Sequence, residues 1–267
     1  MREAPSSVSI ITADEIRRYG WRTLGDALRS LRGFYTSYDR QYVYLGVRGF
    51  LRPGDYNCRI LLLLNGHRLN ENVFDSAPMG TEFPLDLDLV DHIEVVRGPG
   101  SSLFGANAVF GVINVITRRA VVPPAIEVSG DVSSFLGRTG RVTAFGTKGR
   151  LSMVLSGSPY RDPGHSRLYF PEFDSPATNN GYAEDMDGTD AHSVFADVQY
   201  ANVRLLALIS DRAKSYPTAS YGAAFNDPAD RLEDRRGFVD LSYHRSLPAQ
   251  TDLDARVYYD AYSSFGT

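Results

Sequence analysis

The 267-residue sequence predicts a small α+β domain followed by a series of antiparallel β-strands. Three observations lead to this prediction. Up to about Pro124 the chain mixes helical and strand patterns, whereas later segments alternate apolar and polar side chains with the period of two that is typical of strands. The connections between those later segments alternate between short and long. We therefore predict one domain over residues 1–122 and a strand-rich domain over residues 123–267.

The composition excludes several classes of protein. Hydrophobic residues make up 43% and charged residues 22% of the chain, as is typical of an ordered protein. The net charge of −4 argues against nucleic acid as a partner, because phosphate binding needs a concentrated positive field. The longest aliphatic run, Ile60–Leu64, is far shorter than the ~20 residues of a membrane-spanning helix. The single cysteine, Cys58, cannot form a disulfide within the chain.

Two short helices are predicted near the start of the first domain. Thr12 and Glu15 fit a capping box, and Gly20 is a typical C-terminal stop. The second helix is predicted from Thr23 to Gly33, because leucines recur on one helical face there. The predicted strands of this domain lie at residues 8–11, 43–47, 59–64, 93–97 and 112–117, with a helical turn within 84–90.

Seven strands are predicted in the second domain, at residues 126–132, 141–147, 151–155, 192–200, 203–213, 239–243 and 253–259. Long polar connections at residues 158–189 and 214–234 alternate with short ones such as Lys148-Gly149 and Ala201-Asn202. Outer-membrane β-barrels have this asymmetry, with short turns on one side and long loops on the other. A soluble β-sandwich also alternates polar and apolar faces, so the periodicity alone leaves both architectures open.

Four segments of the first domain resemble the plug domain of TonB-dependent outer-membrane receptors. They are VSIITADEIRRYGWRTLGDALRSLRG at residues 8–33, VRGF at 47–50, LLLLNGHRL at 61–69 and IEVVRGPGSSLFGANAVFGVINVIT at 93–117. Asn65 stands where that family more often has aspartate. The resemblance implies a plug domain, with a small mixed sheet and short helices, followed by the first antiparallel strands of an incomplete transmembrane β-barrel. It also implies the outer membrane of a Gram-negative bacterium and favours the barrel over the sandwich.

The resemblance further implies a structural role for ten residues in these segments: Arg48, Gly49, Asn65, Gly66, Glu94, Arg97, Gly98, Pro99, Gly105 and Gly111. We expect Arg48 and Arg97 to be structural charges where plug and barrel meet, and Glu94 to pair with one of them. The glycine run, which comprises Gly98, Gly100, Gly105 and Gly111, could alternatively form a phosphate-binding loop. That run has no Gly-Lys-Ser/Thr ending, and Leu103 stands where a dinucleotide fingerprint has glycine.

In the resembled family, the substrate contacts the outward loop tips of the plug, which correspond here to residues 37–42, 51–57 and 70–80. The candidate ligand-binding residues on these tips are Tyr38, Arg40, Tyr42, Arg52, Tyr56, Asn72, Phe74 and Asp75. Tyrosines and arginines together suit an anionic metal chelate with aromatic parts. The alternative to ligand binding is that the loop tyrosines only pack against neighbouring residues. The residues do not distinguish a ferric siderophore from haem, cobalamin or another bulky solute.

The sequence gives no support for catalysis or a resident cofactor. The five histidines have no metal-ligand spacing, and no Gly-x-Ser-x-Gly nucleophile motif is present, so an enzyme is not predicted. One acidic loop is a possible calcium site through Asp185, Asp187 and Asp190, with Asp227 and Asp230 as further candidates. A solvated acidic loop is the alternative, because the terminal bidentate glutamate of a calcium loop is missing.

We therefore expect a TonB-dependent receptor that takes up a bulky solute, with the energy-transducing protein TonB and outer-membrane lipid as partners. Seven strands cannot close around a plug, and no signal peptide is recognisable, so we expect a piece of a longer receptor. The alternative function is a non-transporting plug-like binding module, or the remnant of a degenerate receptor gene. A signalling receptor would need an additional N-terminal domain.

Overall fold

The computed structural model describes residues 7–52, 54–248 and 251–266. It divides the chain into two compact units, Met1–Arg119 and Ala120–Thr267. The division falls at residues 119/120, whereas the sequence placed it at 122/123. Each unit is described below by itself.

The first unit is built on a small mixed sheet. Its strands are β1 (Ser7–Thr12), β2 (Phe34–Tyr38), β3 (Val43–Val47), β4 (Ile60–Leu64), β5 (His67–Arg68), β6 (Val90–Arg97) and β7 (Gly111–Thr117). Five of them form one sheet in the order β1-β6-β7-β4-β5, while β2 and β3 form a separate hairpin. Strands β4 and β7 are parallel and the other described pairs are antiparallel. The predicted α+β class is confirmed.

Helix α1 (Ala13–Tyr19) follows β1 directly and has the predicted capping box. The Thr12 hydroxyl accepts from the Glu15 backbone N–H at 3.3 Å, and the Glu15 carboxylate accepts from the Thr12 backbone N–H at 2.8 Å. Gly20 ends the helix in the left-handed conformation, with φ of 66°. These contacts satisfy backbone groups at both helix ends, which are otherwise left without partners.

Helix α2 (Leu24–Arg29) ends earlier than predicted. The Ser30 hydroxyl and the Ser30 backbone N–H both donate to the Ala27 carbonyl, which tightens the chain into turns before β2. A third short helix, α3 (Ser101–Phe104), lies within the glycine-rich segment, where the sequence analysis placed none. The predicted helical turn at residues 84–90 is a single 3₁₀ turn at Leu87–Leu89.

Strand β4 and the two helices supply much of the core of the first unit. Four of the five residues of β4 are buried, in agreement with a strand covered on both faces. Leu24 and Leu28 of α2 are fully buried. A fully buried leucine side chain contributes about 1.5–3 kcal/mol. The apolar repeat that predicted α2 therefore forms its buried face.

The second unit is an antiparallel sheet of seven long strands with the order β16-β15-β14-β13-β10-β9-β8. A separate short hairpin pairs β11 with β12. The strands are β8 (Ala125–Val132), β9 (Arg138–Lys148), β10 (Leu151–Asp162), β11 (Arg167–Tyr169), β12 (Tyr182–Glu184), β13 (Thr189–Tyr200), β14 (Val203–Ser215), β15 (Arg231–Leu247) and β16 (Thr251–Gly266). All seven predicted strands are present, and the sheet formed by the described residues is not closed.

Several strands are longer than predicted, and β15 shows the reason. The sequence predicted only residues 239–243 there, because residues 231–236 are rich in charge. In the sheet these charges have cross-strand partners: Asp234 accepts from Arg212 at 2.8 Å, and Arg235 donates to Asp211 at 2.9 Å. The hairpin of β11 and β12 was likewise predicted as part of a long loop.

The two faces of this sheet differ in chemistry. One face presents exposed apolar side chains on neighbouring strands, namely Ile126, Val128, Val142, Leu155, Val194, Ile209, Val239 and Val257. The opposite face carries ion pairs, including a two-bond pair between Arg204 and Asp197 at 2.6 and 2.8 Å. An apolar face of this extent requires an apolar environment, as on the strands of an outer-membrane barrel. Among the helices in the described ranges, none has the length and apolar character needed to span a membrane.

We predict that residues 1–120 expressed alone give a soluble domain whose circular dichroism contains a helical component. The reason is that this unit has its own sheet, helices and buried core. Circular dichroism and size-exclusion chromatography test the prediction. An insoluble fragment with a pure β-sheet spectrum would show that the division of the chain is wrong.

The capping box of α1 leads to a pH-dependent prediction. Hydrogen bonds from the Thr12 backbone and hydroxyl lower the pKa of Glu15. The ionised Glu15 therefore stabilises the fold fully above the ordinary glutamate pKa of about 4.3, and this contribution is lost as the pH falls through the lowered pKa. Urea unfolding of residues 1–120 is expected to show wild type more stable than Glu15→Gln at pH 7, with the difference vanishing in acid.

Thr12→Ala is the companion variant. It removes the side-chain cap and is expected to lower the free energy of unfolding by about 1 kcal/mol at neutral pH. A difference between wild type and Glu15→Gln that stays constant from neutral pH into strong acid would contradict the proposed role of the Glu15 charge.

Candidate functional site

The three predicted ligand-contacting loops of the first unit meet in one aromatic cluster, defined here as Tyr42, Tyr44, Tyr56 and Phe74. Tyr56 lies at its centre. Its ring centroid is 5.8 Å from that of Tyr42, edge-on, and 5.6 Å from that of Phe74, tilted. The Tyr44 ring lies 6.1 Å away. Each predicted loop thus contributes one ring, and β3 contributes the fourth.

The first loop is shaped by Asp39. One oxygen of its carboxylate accepts from the backbone N–H groups of Gln41 and Tyr42 at 2.8 and 2.7 Å, and the other accepts from the Tyr44 hydroxyl at 2.8 Å. This turn, in which an aspartate side chain binds the backbone two and three residues later, also holds Arg40 at φ of 73°. The sequence analysis missed Asp39, although an aspartate at a loop tip is a recognisable turn signal.

The second loop is fastened by the buried side chain of Asn57. Its oxygen accepts from the Leu45 backbone N–H at 2.7 Å, and its nitrogen donates to the carbonyls of Val43 and Ala77 at 2.9 and 3.0 Å. The Tyr56 carbonyl also accepts from the Ala77 N–H at 3.0 Å. Asn57 thereby connects the second loop to β3 and to the third loop.

The third loop is organised by the buried carboxylate of Glu71. It accepts from the backbone N–H groups of Val73, Phe74 and Ser76, the last two at 2.8 and 2.9 Å. The neighbouring Asn70 donates to the carbonyls of Ile60 and Asp75 at 3.0 and 2.9 Å. The loop therefore holds its shape through buried polar contacts, and Phe74 remains 61% exposed at its surface.

The remaining candidates on the loop tips lie outside the cluster. The Arg40 guanidinium is 5.7 Å from the Tyr38 ring, and the Tyr38 hydroxyl donates to the Arg40 carbonyl at 3.2 Å. Asp75 forms an ion pair with Arg68. Asn72 and Arg52 are exposed. The structure thus brings together Tyr42, Tyr56 and Phe74, and places the other five predicted residues around or away from them.

The turn residues of the plug motif have clear structural roles. Asn65 donates to the Thr117 hydroxyl at 2.8 Å and accepts from the Thr117 N–H at 3.0 Å, while the Gly66 N–H donates to the Asn114 side chain at 3.2 Å. A Cβ atom on Gly111 would lie 2.8 Å from the Val96 carbonyl oxygen, so only glycine permits this strand pairing. The motif also contains the exposed Pro99 and five glycines, of which four, Gly49, Gly66, Gly98 and Gly105, have positive φ.

The predicted pairing of Glu94 with an arginine is wrong. Glu94 accepts from the Asn114 side chain at 2.9 Å and lies 3.5 Å from His92. Glu94 is directly opposite Asn114 in the register of β6 and β7, whereas Arg97 is three residues further along β6 and so points to the other face. Arg97 donates to the Arg32 carbonyl at 3.2 Å and to the Ser9 hydroxyl at 2.9 Å. Arg48 begins the turn after β3, and its N–H donates to the Gly33 carbonyl at 2.7 Å.

The acidic loop of the second unit does not present a preformed metal site. Asp187 accepts from the Lys214 ammonium group at 2.9 Å, and this lysine is only 1% exposed. Asp190 lies 3.5 Å from Arg161, and Asp185 is exposed. Within the described residues, no three histidine, cysteine, aspartate or glutamate side chains lie close enough to hold a metal. Two of the three proposed calcium ligands are instead next to protein cations.

Asn57→Ala is expected to lower the free energy of unfolding of the first unit by about 2–4 kcal/mol, because three backbone groups, two of them in buried hydrogen bonds, lose their partner. The left-handed backbone at this position, with φ of 62°, adds to the cost for alanine. Asn72→Ala on the third loop is the matched control, with an expected change within about 0.5 kcal/mol. Urea unfolding measures both, and equal shifts for the two variants would contradict the bridging role of Asn57.

Comparison with known proteins agrees with this architecture. Residues 1–112 match the family described as the TonB-dependent receptor plug domain. The vitamin B12 transporter BtuB of Vibrio vulnificus is 26% identical over 268 residues, covering 84% of this chain and 41% of the transporter. The iron-regulated outer membrane virulence protein of Vibrio cholerae serotype O1 is 30% identical over 123 residues, covering 45% of this chain and 18% of that protein. The chain thus spans less than half the length of these relatives.

Solved structures share the fold of both units. The ferric yersiniabactin uptake receptor FyuA from Yersinia pestis superposes with a TM-score of 0.70 at 18% identity, covering 98% of this chain and 42% of that receptor. The pyoverdine outer membrane receptor FpvA from Pseudomonas aeruginosa PAO1 gives 0.69 at 15% identity, covering 98% and 38%. The Vibrio cholerae relative and FpvA are outer-membrane proteins by name, in agreement with the predicted location. Residues 1–112 thus match a TonB-dependent receptor plug domain, and both units share the fold of part of the outer-membrane receptors named above.

Proposed function

We propose that this chain is part of a receptor that takes up a bulky solute, such as a ferric siderophore, haem or cobalamin, by energy-coupled transport through TonB. The observation that supports this most directly is the aromatic cluster, to which all three plug loop tips contribute a ring. The names of the related proteins point to the same class of solute, since they include a vitamin B12 transporter and a ferric yersiniabactin uptake receptor.

The chemistry of the aromatic cluster suits a large, partly aromatic solute. Tyrosine rings offer both a flat apolar face and a hydroxyl group for hydrogen bonding. Phe74 adds an exposed ring, and Arg40 with Tyr38 adds a guanidinium group close to an aromatic face. A delocalised anion would gain stacking and charge-assisted hydrogen bonds from this combination. The ligand would be bound without covalent chemistry.

The loops that carry the rings are preorganised. Asp39, Asn57 and Glu71 hold the three loops through hydrogen bonds to the backbone that are buried or partly buried. A solute that binds to fixed loops loses less affinity to the ordering of protein segments than one that binds to mobile loops. Substitution of an anchoring residue is therefore expected to weaken binding as well as stability.

In the proposed transport step, TonB pulls on the chain from the N-terminal side of the plug. Among the described residues, the first regular element met by such a force is β1, which lies at one edge of the sheet and pairs there with β6 alone. Ser7 lies opposite Arg97 at the start of this pairing and Thr12 opposite His92 at its end. A pull that lifts the start of β1 away from β6 would break the hydrogen bonds between these strands in succession from the Ser7 end. The apolar face of the second unit would meanwhile contact outer-membrane lipid.

We predict that Tyr56→Ala weakens binding of the cognate solute about tenfold or more, because the central ring of the cluster is lost. Isothermal titration of the purified chain with ferric siderophores, haem and cyanocobalamin measures the affinity. Tyr19→Ala is the matched control, since Tyr19 is an exposed tyrosine stacked on Trp21 outside the cluster. Equal affinities for the two variants would exclude the cluster as the binding site.

The alternative is a plug-like binding module without transport, which is favoured by the compactness of the first unit on its own. Uptake of the radiolabelled solute by cells that express the receptor of which this chain forms part distinguishes the two functions. Uptake that disappears when TonB is deleted supports the transport receptor. Binding of the solute by purified protein, without any TonB-dependent uptake in cells, supports the module.

A further inference from the structure

A cleft lies in the first unit, beside the loop of residues 51–57. Its volume is about 190 Å³, and its lining includes Phe50, Arg52, Asp55, Arg59 and Phe110. Tyr56 of the same loop packs in the aromatic cluster and does not line this cleft. The two sites therefore share a loop but use different side chains of it.

The cleft carries an excess of positive charge. Arg52 and Arg59 line it together with one carboxylate, that of Asp55. The closest approach of Arg59 to Asp55 is 4.0 Å, which is too long for a hydrogen bond. Arg52 is exposed and has no hydrogen bond or ion pair to any residue in the described part of the chain. Both guanidinium groups thus keep donors available for an anion.

One wall of the cleft is aromatic. The rings of Phe50 and Phe110 stack with centroids 5.9 Å apart and planes 23° from parallel. The Arg59 guanidinium lies 5.7 Å from the Phe110 centroid, so the positive charge and the apolar wall adjoin. Phe50 is 65% exposed although it is a large apolar side chain. A ring stacked against this wall would remove apolar surface from water.

We propose that this cleft binds a planar aromatic carboxylate. A carboxylate matches the fork of an arginine side chain, which can donate two parallel hydrogen bonds to it. The ring of the ligand would lie against Phe50 and Phe110. Pockets for drug-sized ligands have volumes of roughly 300–1,000 Å³, so a cleft of 190 Å³ suits a single-ring acid. Inorganic phosphate would leave the aromatic wall unused, and a neutral aromatic would leave both arginines without a partner.

The first test uses the wild-type chain and three probes. Isothermal titration with benzoate, with its neutral analogue benzamide and with inorganic phosphate should show benzoate binding at least tenfold more tightly than either. Fluorine NMR of the chain labelled with fluorophenylalanine locates the site, because the Phe50 and Phe110 signals should shift with benzoate. Phosphate binding as tight as that of benzoate, or equal binding of benzamide, would overturn the proposal.

The second test uses variants. Arg59→Gln and Arg52→Gln should each lower the affinity for benzoate about tenfold, because a charge-assisted hydrogen bond is lost. Arg29→Gln is the matched control, since Arg29 is a solvent-facing arginine of α2 that pairs with Asp26. Arg59→Lys keeps the charge without the fork and should bind with intermediate affinity.

The proposal does not rest on the transport function, and the two can fail separately. Tyr56→Ala should leave benzoate binding unchanged while it weakens binding of the bulky solute. Loss of benzoate binding in Tyr56→Ala, with both glutamine variants unaffected, would assign benzoate to the aromatic cluster and overturn the second site.

Discussion

The carboxamide of Asn57 is the contact on which the geometry of the plug loops depends. From the segment that leads into β4, it reaches β3 and the third loop through three hydrogen bonds to backbone groups. These segments have no sheet hydrogen bonds to one another, since β3 pairs with β2 and β4 pairs with β5 and β7. The relative positions of Tyr42, Tyr56 and Phe74 therefore depend on this buried side chain, together with the backbone hydrogen bond from Ala77 to Tyr56.

Other polar side chains around the aromatic cluster also hold loops in place by binding backbone groups. Loops that leave a sheet carry backbone N–H and C=O groups that must find partners if they are buried. Here Asp39, Asn70 and Glu71 supply those partners from within the loops. Irregular segments thus acquire fixed shapes without becoming helices or strands. Fixed loops on a compact sheet are suited to binding, because the contacting rings are positioned before the ligand arrives.

Much of the fold was predictable because its signals are local. The capping box of α1, the apolar run of β4 and the period-two alternation of the second unit all act over a few residues, and all are confirmed. The ends of β15 were not predictable in this way. Charged residues such as Arg235 and Asp234 are typical of loops, and only pairing with Asp211 and Arg212 on the neighbouring strand makes them strand residues. Strand ends therefore depended on partners distant in sequence.

The candidate site was likewise predictable only where its signals are local in sequence. The resemblance to a receptor family predicted the loop tips, but it did not reveal which side chains lie in contact. Tyr56 and Phe74 are brought together by the hydrogen bond from Asn57 to Ala77 and by those that Glu71 accepts within its own loop. Glu94 illustrates the converse error. Opposite charge suggested an arginine partner, whereas strand register placed Asn114 opposite it and Arg97 on the other face. Charge indicates what a side chain prefers to contact, and strand register determines which of those groups lies within reach.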